Sequence, residues 1–427
     1  MSEASSPTNS RHVTFGQVLR RRDFFLLWSA YGVSFTGDQI TYVALGALAL
    51  VLTGGQPLQM AIVLMLGRLP SFLFGWGAGV FVDRWDKRIT MMVSDLIRAG
   101  LILSLTTVHS VFTVYIVTFL VATVSTFFEP ARNAALPETV APDELLVANS
   151  LMSTVNSIAS FAGYGIGGLL VALVGFRVAF VVDFFSYLYS AWAAWRLSGS
   201  YRAAGESEGS LAGFWREVQV GIVYHRENKV VLWLLIVLLL GILAIGGFDA
   251  VGVVIATAIL GLSPVDAGKV FGLFSTAMGL GSFLGGLWLG RYGQRWPRLW
   301  LIGTGFMGCG VGMGVTAFSP DLGVDTLVFA LLGFFNMLFF IPMTTWVQEV
   351  TPLEVRGRVL AVRYMVMNGA LVLTMVGAGQ FAQVLGVKTA IWSMAILAVL
   401  AGAVTWWVPV LRAKASRVTS SDASVVL

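Results

Sequence analysis

A chain of 427 residues that is 57% hydrophobic and only 11% charged has too little polar surface to cover itself in water, and its mean hydropathy of +0.83 says the same. That balance counts against a soluble enzyme and a disordered chain. The net charge of +5 does not point to nucleic acid either, because the basic residues punctuate apolar runs and form no stripe interleaved with aromatics. One cysteine, Cys309, and three scattered histidines, His12, His109 and His225, offer no disulfide and no ligand spacing, so neither a metal nor a cofactor is expected.

In chain order, residues 1–23 form a Ser/Thr-rich cytoplasmic segment ending in Arg20, Arg21 and Arg22. The apolar run that follows is too long for a signal-peptide core and ends in no small-residue cleavage site, so it is expected to remain as a span. Crossing about 30 Å of hydrocarbon takes roughly 20 residues of helix. Twelve runs qualify, at about 24–50, 58–82, 90–109, 111–128, 149–173, 176–196, 230–260, 266–289, 299–318, 325–347, 359–384 and 387–411. Strands are not expected, since an open sheet edge in lipid leaves backbone groups unpaired and the ten-residue alternation of a barrel is absent. The fold predicted is all-α and polytopic, with twelve transmembrane helices.

The second, fourth, sixth, eighth and tenth loops and both ends collect the arginines and lysines, among them Arg84, Lys87, Arg88, Arg132, Arg291, Arg298, Arg356, Arg358 and Arg363. The opposite loops hold Arg177, Lys269 and Lys388. By the positive-inside rule both termini are cytoplasmic in the cell membrane. The hydrophilic stretch 197–229 reads as a cytoplasmic linker with a short interfacial helix (Leu211, Phe214, Trp215, Val218). It separates an N-terminal half, 24–196, from a C-terminal half, 230–411, with a cytoplasmic tail at 412–427.

The halves repeat. Val140-Ala-Pro142-Asp-Glu144 returns as Val350-Thr-Pro352-Leu-Glu354, Gly79-x-x-x-Asp83-Arg84 returns as Gly286-x-x-x-Gly290-Arg291, and Asp38 has its counterpart in Asp249. Three matches at nearly one offset argue for duplicated six-helix halves around a central cavity, a plan that puts the substrate site near the midplane.

The stretch Gly79-Val-Phe-Val-Asp83-Arg84-Trp-Asp86-Lys87-Arg88 resembles the signature loop of the major facilitator superfamily. Met91-Met92-Val-Ser-Asp95-Leu-Ile-Arg98, Phe127-Phe128-Glu129-Pro130-Ala131-Arg132 and Val355-Arg356-Gly357-Arg358 are similar to its macrolide-efflux and enterobactin-exporter branch. There are two departures: Gly290 stands where the second loop would carry an aspartate, and Tyr164 replaces proline in the antiporter-type run Gly163-Tyr164-Gly165-Ile166-Gly167-Gly168. The resemblance implies a secondary transporter working by alternating access, a proton-coupled exporter of amphipathic small molecules such as drugs, macrolides or siderophores. An importer of the same fold and a lipid scramblase stay open as alternatives.

Charge inside a bilayer is costly, so each such residue is a functional candidate. Asp38 lies about 14 residues into the first span, roughly 21 Å from its start, and Arg68 reaches a similar depth in the second. A buried Asp38–Arg68 pair is expected, either as a switchable proton site or as a permanent pair satisfying both charges. Tyr31, Ser34, Asp38 and Tyr42 share one helical face suited to a cavity wall, and Asp249 either lines that cavity or sits hydrated near the outer surface. The resemblance makes Gly79, Asp83, Arg84, Lys87 and Arg88 a cytoplasmic latch between the halves. Asp95, Arg98, Glu129 and Arg132 are close enough in sequence to join its charge network, and Glu354, Arg356 and Arg358 form the mirror-image set. No nucleophile–base set marks an enzyme, and Gly268-Lys269 lacks P-loop spacing. The expected partners are a small amphipathic substrate, protons and the lipid bilayer, with no nucleic acid and a monomeric state.

Overall fold

The computed structural model describes residues 14–82, 85–198, 211–319 and 321–408, and among them every regular element is helical. Twelve helices are long and apolar enough to cross a membrane. Spans one to six are Arg22–Thr53, Pro57–Gly75, Lys87–Thr107, Val111–Thr139, Val147–Val174 and Phe176–Arg196. Spans seven to twelve are Lys229–Gly252, Pro264–Arg295, Arg298–Phe318, Leu322–Val350, Glu354–Leu385 and Val387–Trp407. Their starts follow the chemistry of helix N-termini, where a side-chain oxygen takes an orphan backbone N–H. Asp86 accepts from Ile89 N at 3.0 Å before span three, and Asp321 accepts from Val324 N at 2.8 Å before span ten.

Boundaries differ from the sequence expectation where proline and glycine intervene. Span two breaks into Pro57–Leu66 and Leu69–Val82, because Pro70 has no N–H to give the Leu66 carbonyl. Span four runs on through Pro130 to Thr139, whereas span seven stops at Gly252 after Gly246 and Gly247 and is followed by a short turn, Ile255–Ala258. Arg363, counted above among the loop charges, lies inside span eleven, buried, donating to Thr344 Oγ1 at 3.1 Å.

Spans one to six precede and spans seven to twelve follow a helix, Leu211–Glu227, in the linker. The same pairings hold each half together: span one packs on six and seven on twelve, two on four and eight on ten, three on six and nine on twelve. Gly175 and Gly386 turn the chain between the fifth and sixth spans of each half at φ 89° and 90°, a conformation open to glycine. The halves meet pseudo-symmetrically as well, span five against eight and span two against eleven. Large apolar side chains such as Phe112, Leu173, Leu373 and Trp407 line the outside, as a lipid-facing surface requires. The linker helix lies on span eleven, with Gly221 against the Arg358 carbonyl and Tyr224 donating to Val350 O at 3.3 Å. Of its expected apolar face, Val218 is buried, while the side chains of Leu211, Phe214 and Trp215 lie outside the described residues.

Candidate functional site

Spans one and six carry polar side chains that face each other inside the N-terminal half. Asp183, Ser186, Tyr187 and Ser190 recur at helical spacing in span six and face Asp38 and Thr41 of span one. Two reciprocal rungs join them. Tyr187 O–H donates to Asp38 Oδ1, and one turn further along, Thr41 Oγ1 donates to Asp183 Oδ2 at 2.5 Å. Ser186 Oγ donates to the other oxygen of Asp183 at 2.8 Å. Room for that carboxyl comes from Gly37, where a methyl group would overlap Asp183 Oδ1 and Ser186 Oγ.

Span three adds the compensating cation. Arg98 pairs with Asp95, and its guanidinium is sandwiched between the rings of Phe128 and Tyr187, with centroids 4.3 and 4.4 Å away. Such stacking satisfies a flat, delocalised cation that lacks enough acceptors. Tyr187 therefore touches Asp38 through its hydroxyl and Arg98 through its face. Three carboxyls, Asp38, Asp95 and Asp183, share this cluster with one guanidinium. The cluster adjoins a space: a cavity of about 180 Å³ is lined by Asp38, Thr41, Tyr42, Ser71, Thr118, Ser125, Tyr187 and apolar neighbours.

A second, larger cavity of about 380 Å³ lies between the halves. The N-terminal half contributes Arg68 and Tyr164, and the C-terminal half contributes Met278, Met313, Met337, Met367, Phe248, Phe339, Phe340 and Asn336. Methionine and aromatic side chains make an adaptable apolar wall. The two cavities are neighbours. Tyr42 lines the first and Tyr164 the second, and their rings meet edge to face at 5.7 Å; Gly67 lines the first and Arg68 the second.

The expected Asp38–Arg68 pair does not form: Asp38 is bound by Tyr187, and Arg68 faces the other cavity. Similar depth along the membrane normal leaves the direction around the helix undetermined. Of the span-one stripe, Asp38 and Tyr42 line a cavity, Ser34 is buried, and Tyr31 is packed beneath the Arg132 guanidinium at 3.7 Å and takes a hydrogen bond from Asn156. The side chain of Asp249 lies outside the described residues. Asp183 is a buried carboxyl of this cluster that the sequence reading passed over, although the stripe Asp183, Ser186, Tyr187, Ser190 carries the same signal as the one in span one.

At the end holding the termini, Asp83 and Arg84 lie outside the described residues, and Gly79 sits in the helix Leu69–Val82. Lys87 pairs with Glu138, Arg88 donates to the Trp195 carbonyl, and Arg132 pairs with Glu129 at 3.3 Å. Each of these contacts stays within the N-terminal half. In the mirror-image set, Arg356 donates to Thr351 O at 3.2 Å, Glu354 is exposed, and the Arg358 carbonyl abuts Gly221. At the opposite end the halves close tightly. Gly168 and Gly272 bring spans five and eight into backbone contact, Thr276 Oγ1 donates to Gly165 O at 3.1 Å, and Gly379 lies against Ala61 and the Pro57 carbonyl.

Comparison with known proteins agrees with this architecture. The chain is 25% identical over 375 residues to macrolide efflux protein A of Streptococcus pyogenes, covering 86% of this chain and 90% of that one. It is 29% identical over 414 residues to the multidrug efflux pump Tap of Mycolicibacterium fortuitum, covering 92% and 97% respectively. Its fold matches a bacterial homologue of the lysosomal transporter Spinster, solved facing inward and unoccupied, with a TM-score of 0.70 at 14% identity over 93% of this chain and 98% of that one. The family model of the major facilitator superfamily matches residues 27–368 and 250–426, and the chain belongs to that superfamily of multi-pass membrane transporters.

Proposed function

We propose that this transporter exports amphipathic small molecules across the cytoplasmic membrane, driven by protons that load the Asp38–Asp183 cluster. The observation that carries the reading is the wall shared by an acidic pocket and a methionine-lined cavity, made by Tyr42 and Tyr164 and by the consecutive residues Gly67 and Arg68. A substrate pressing on Tyr164 acts on Tyr42, one helical turn from Asp38 and next in the chain to Thr41. A proton added to Asp38 changes what Tyr187 and Arg98 hold, so each ligand biases the state the other sees. The efflux activities named for the two relatives support the outward direction.

The concentration of basic residues on the termini side supports cytoplasmic termini. On that orientation the close contacts of Gly168 with Gly272 lie at the outer side, and the cavity belongs to a state open inward. Export then proceeds by rocking the halves about the substrate site. The latch residues, Asp83 among them, engage only in the opposite state. In everted vesicles carrying the protein, an imposed proton gradient is expected to drive uptake of a dye substrate, and Asp38→Asn is expected to abolish the gradient-driven part. Equal accumulation by the variant overturns the proton role of Asp38.

A further inference from the structure

The lining of the central cavity is mostly apolar, with polar side chains at Arg68, Asn336, Tyr164 and Cys309. Arg68 is the one charged side chain among its described lining residues. It is half-buried, and none of the ion pairs among the described residues includes it. This sets it apart from Arg98, which holds a carboxylate and two rings, and from Arg132, which holds Glu129 and the Tyr31 face. A guanidinium beside methionine and phenylalanine, with no ion pair among the described residues, has N–H donors left for a ligand. Arg68 stands at the break in span two, between the end of Pro57–Leu66 and the start of Leu69–Val82.

We infer that Arg68 sorts substrates by charge: the central cavity takes amphiphiles that carry an anionic group and turns away those that carry a fixed cation. The aromatic and methionine walls hold the apolar body with little regard to its shape. Arg68 holds the anionic end through charge-assisted hydrogen bonds, the strong kind. The carboxyls of the neighbouring pocket do not cancel this preference, because Asp38 lines that pocket and not this cavity, on the far side of the Tyr42–Tyr164 contact.

The inference rests on the central cavity being the substrate site, and a binding measurement separates it from proton coupling. The full-length protein in nanodiscs is titrated with two fluorescent probes that differ by one sulfonate, 1-anilinonaphthalene-8-sulfonate and N-phenyl-1-naphthylamine. The sulfonated probe is expected to bind about tenfold more tightly than the neutral one, since one charge-assisted contact is worth about a factor of ten. Arg68→Gln is expected to remove that difference while leaving the neutral probe's affinity unchanged, and Arg68→Lys to keep most of it. Lys388→Gln, which removes an exposed cation away from the cavity lining, is expected to leave the preference intact. Retention of the preference in Arg68→Gln, its loss in Lys388→Gln, or absence of saturable binding by either probe overturns the inference. A preference that depends on Arg68 in a protein showing no gradient-driven transport leaves this inference standing and removes the proton coupling.

Discussion

Closure at the end opposite the termini depends on backbone touching backbone, and a single methyl group tests it. A Cβ placed on Gly272 would lie 2.5 Å from the Gly168 carbonyl oxygen and 3.2 Å from Ala172 N. Neither atom can rotate aside as a side-chain tip would. Spans five and eight must therefore separate by roughly 1 Å to restore van der Waals distance. Overpacking of this kind costs about 1–3 kcal/mol, and stretching the 3.1 Å bond from Thr276 to Gly165 O adds about 0.5–1.5 kcal/mol. The gain in helix propensity from glycine to alanine applies to both conformations and cancels. Together the terms come to about 1.5–4.5 kcal/mol, which shifts the balance toward the state open at that end by roughly 10- to 2,000-fold. The assay is a distance distribution between spin labels on Ser110→Cys and Leu322→Cys, exposed positions at that end in opposite halves; Cys309 is buried and stays unlabelled. Gly272→Ala is expected to enlarge a longer-distance population relative to the parent protein. Gly165→Ala is the control, because a Cβ there meets nothing within 4 Å. An unchanged distribution in Gly272→Ala, or an equal shift in Gly165→Ala, refutes the reasoning.

The two rungs between spans one and six predict a coupled pair. Asp183→Asn and Thr41→Val are each expected to lower thermal stability, by about 1–3 and about 0.5–1.5 kcal/mol, with the double variant losing less than the sum because both act on one bond. Tryptophan-monitored melts of the solubilised protein measure this, and strict additivity would show that the two residues are not energetically joined. Outside the membrane, Glu144 accepts from Ala141 N at 3.0 Å and pairs with Arg21 at 3.1 Å, and these two contacts, the backbone one first, hold its carboxyl below its ordinary value of 4.5. A depressed carboxylate stabilises the fold above its unfolded value and loses that contribution as pH falls through its folded one. Glu144→Gln is therefore expected to melt lower than the parent at neutral pH, with the gap closing as the pH drops below 4.5. A gap independent of pH would assign the effect to packing instead.

How much of this was legible in the sequence follows from what each signal measures. Hydrophobic run length measures distance along the membrane normal, and twelve spans follow from it. The repeat offset is equally direct, and the paired turns at Gly175 and Gly386 reproduce it, 211 positions apart. Depth alone is what failed for Asp38 and Arg68. Their levels are similar, yet span two breaks at Pro70, and the side chain of Arg68 faces the C-terminal half while Asp38 faces spans four and six. Asp183 went unseen for a related reason: its partners lie across the bundle on span one, and only tertiary packing brings Thr41 and Tyr187 into two opposed bonds. The methionine wall is more hidden still, since Met278, Met313, Met337 and Met367 each come from a different span and none stands out in its own run. Scarcity of charge nevertheless marked the useful positions. In an apolar chain each retained ion needs compensation, and the structure divides the compensated from the uncompensated: Arg98 is held on three sides, whereas Arg68 faces a cavity with N–H donors left for a ligand. Among the described residues no ion pair includes Arg68, which is why substrate charge is where specificity should be sought.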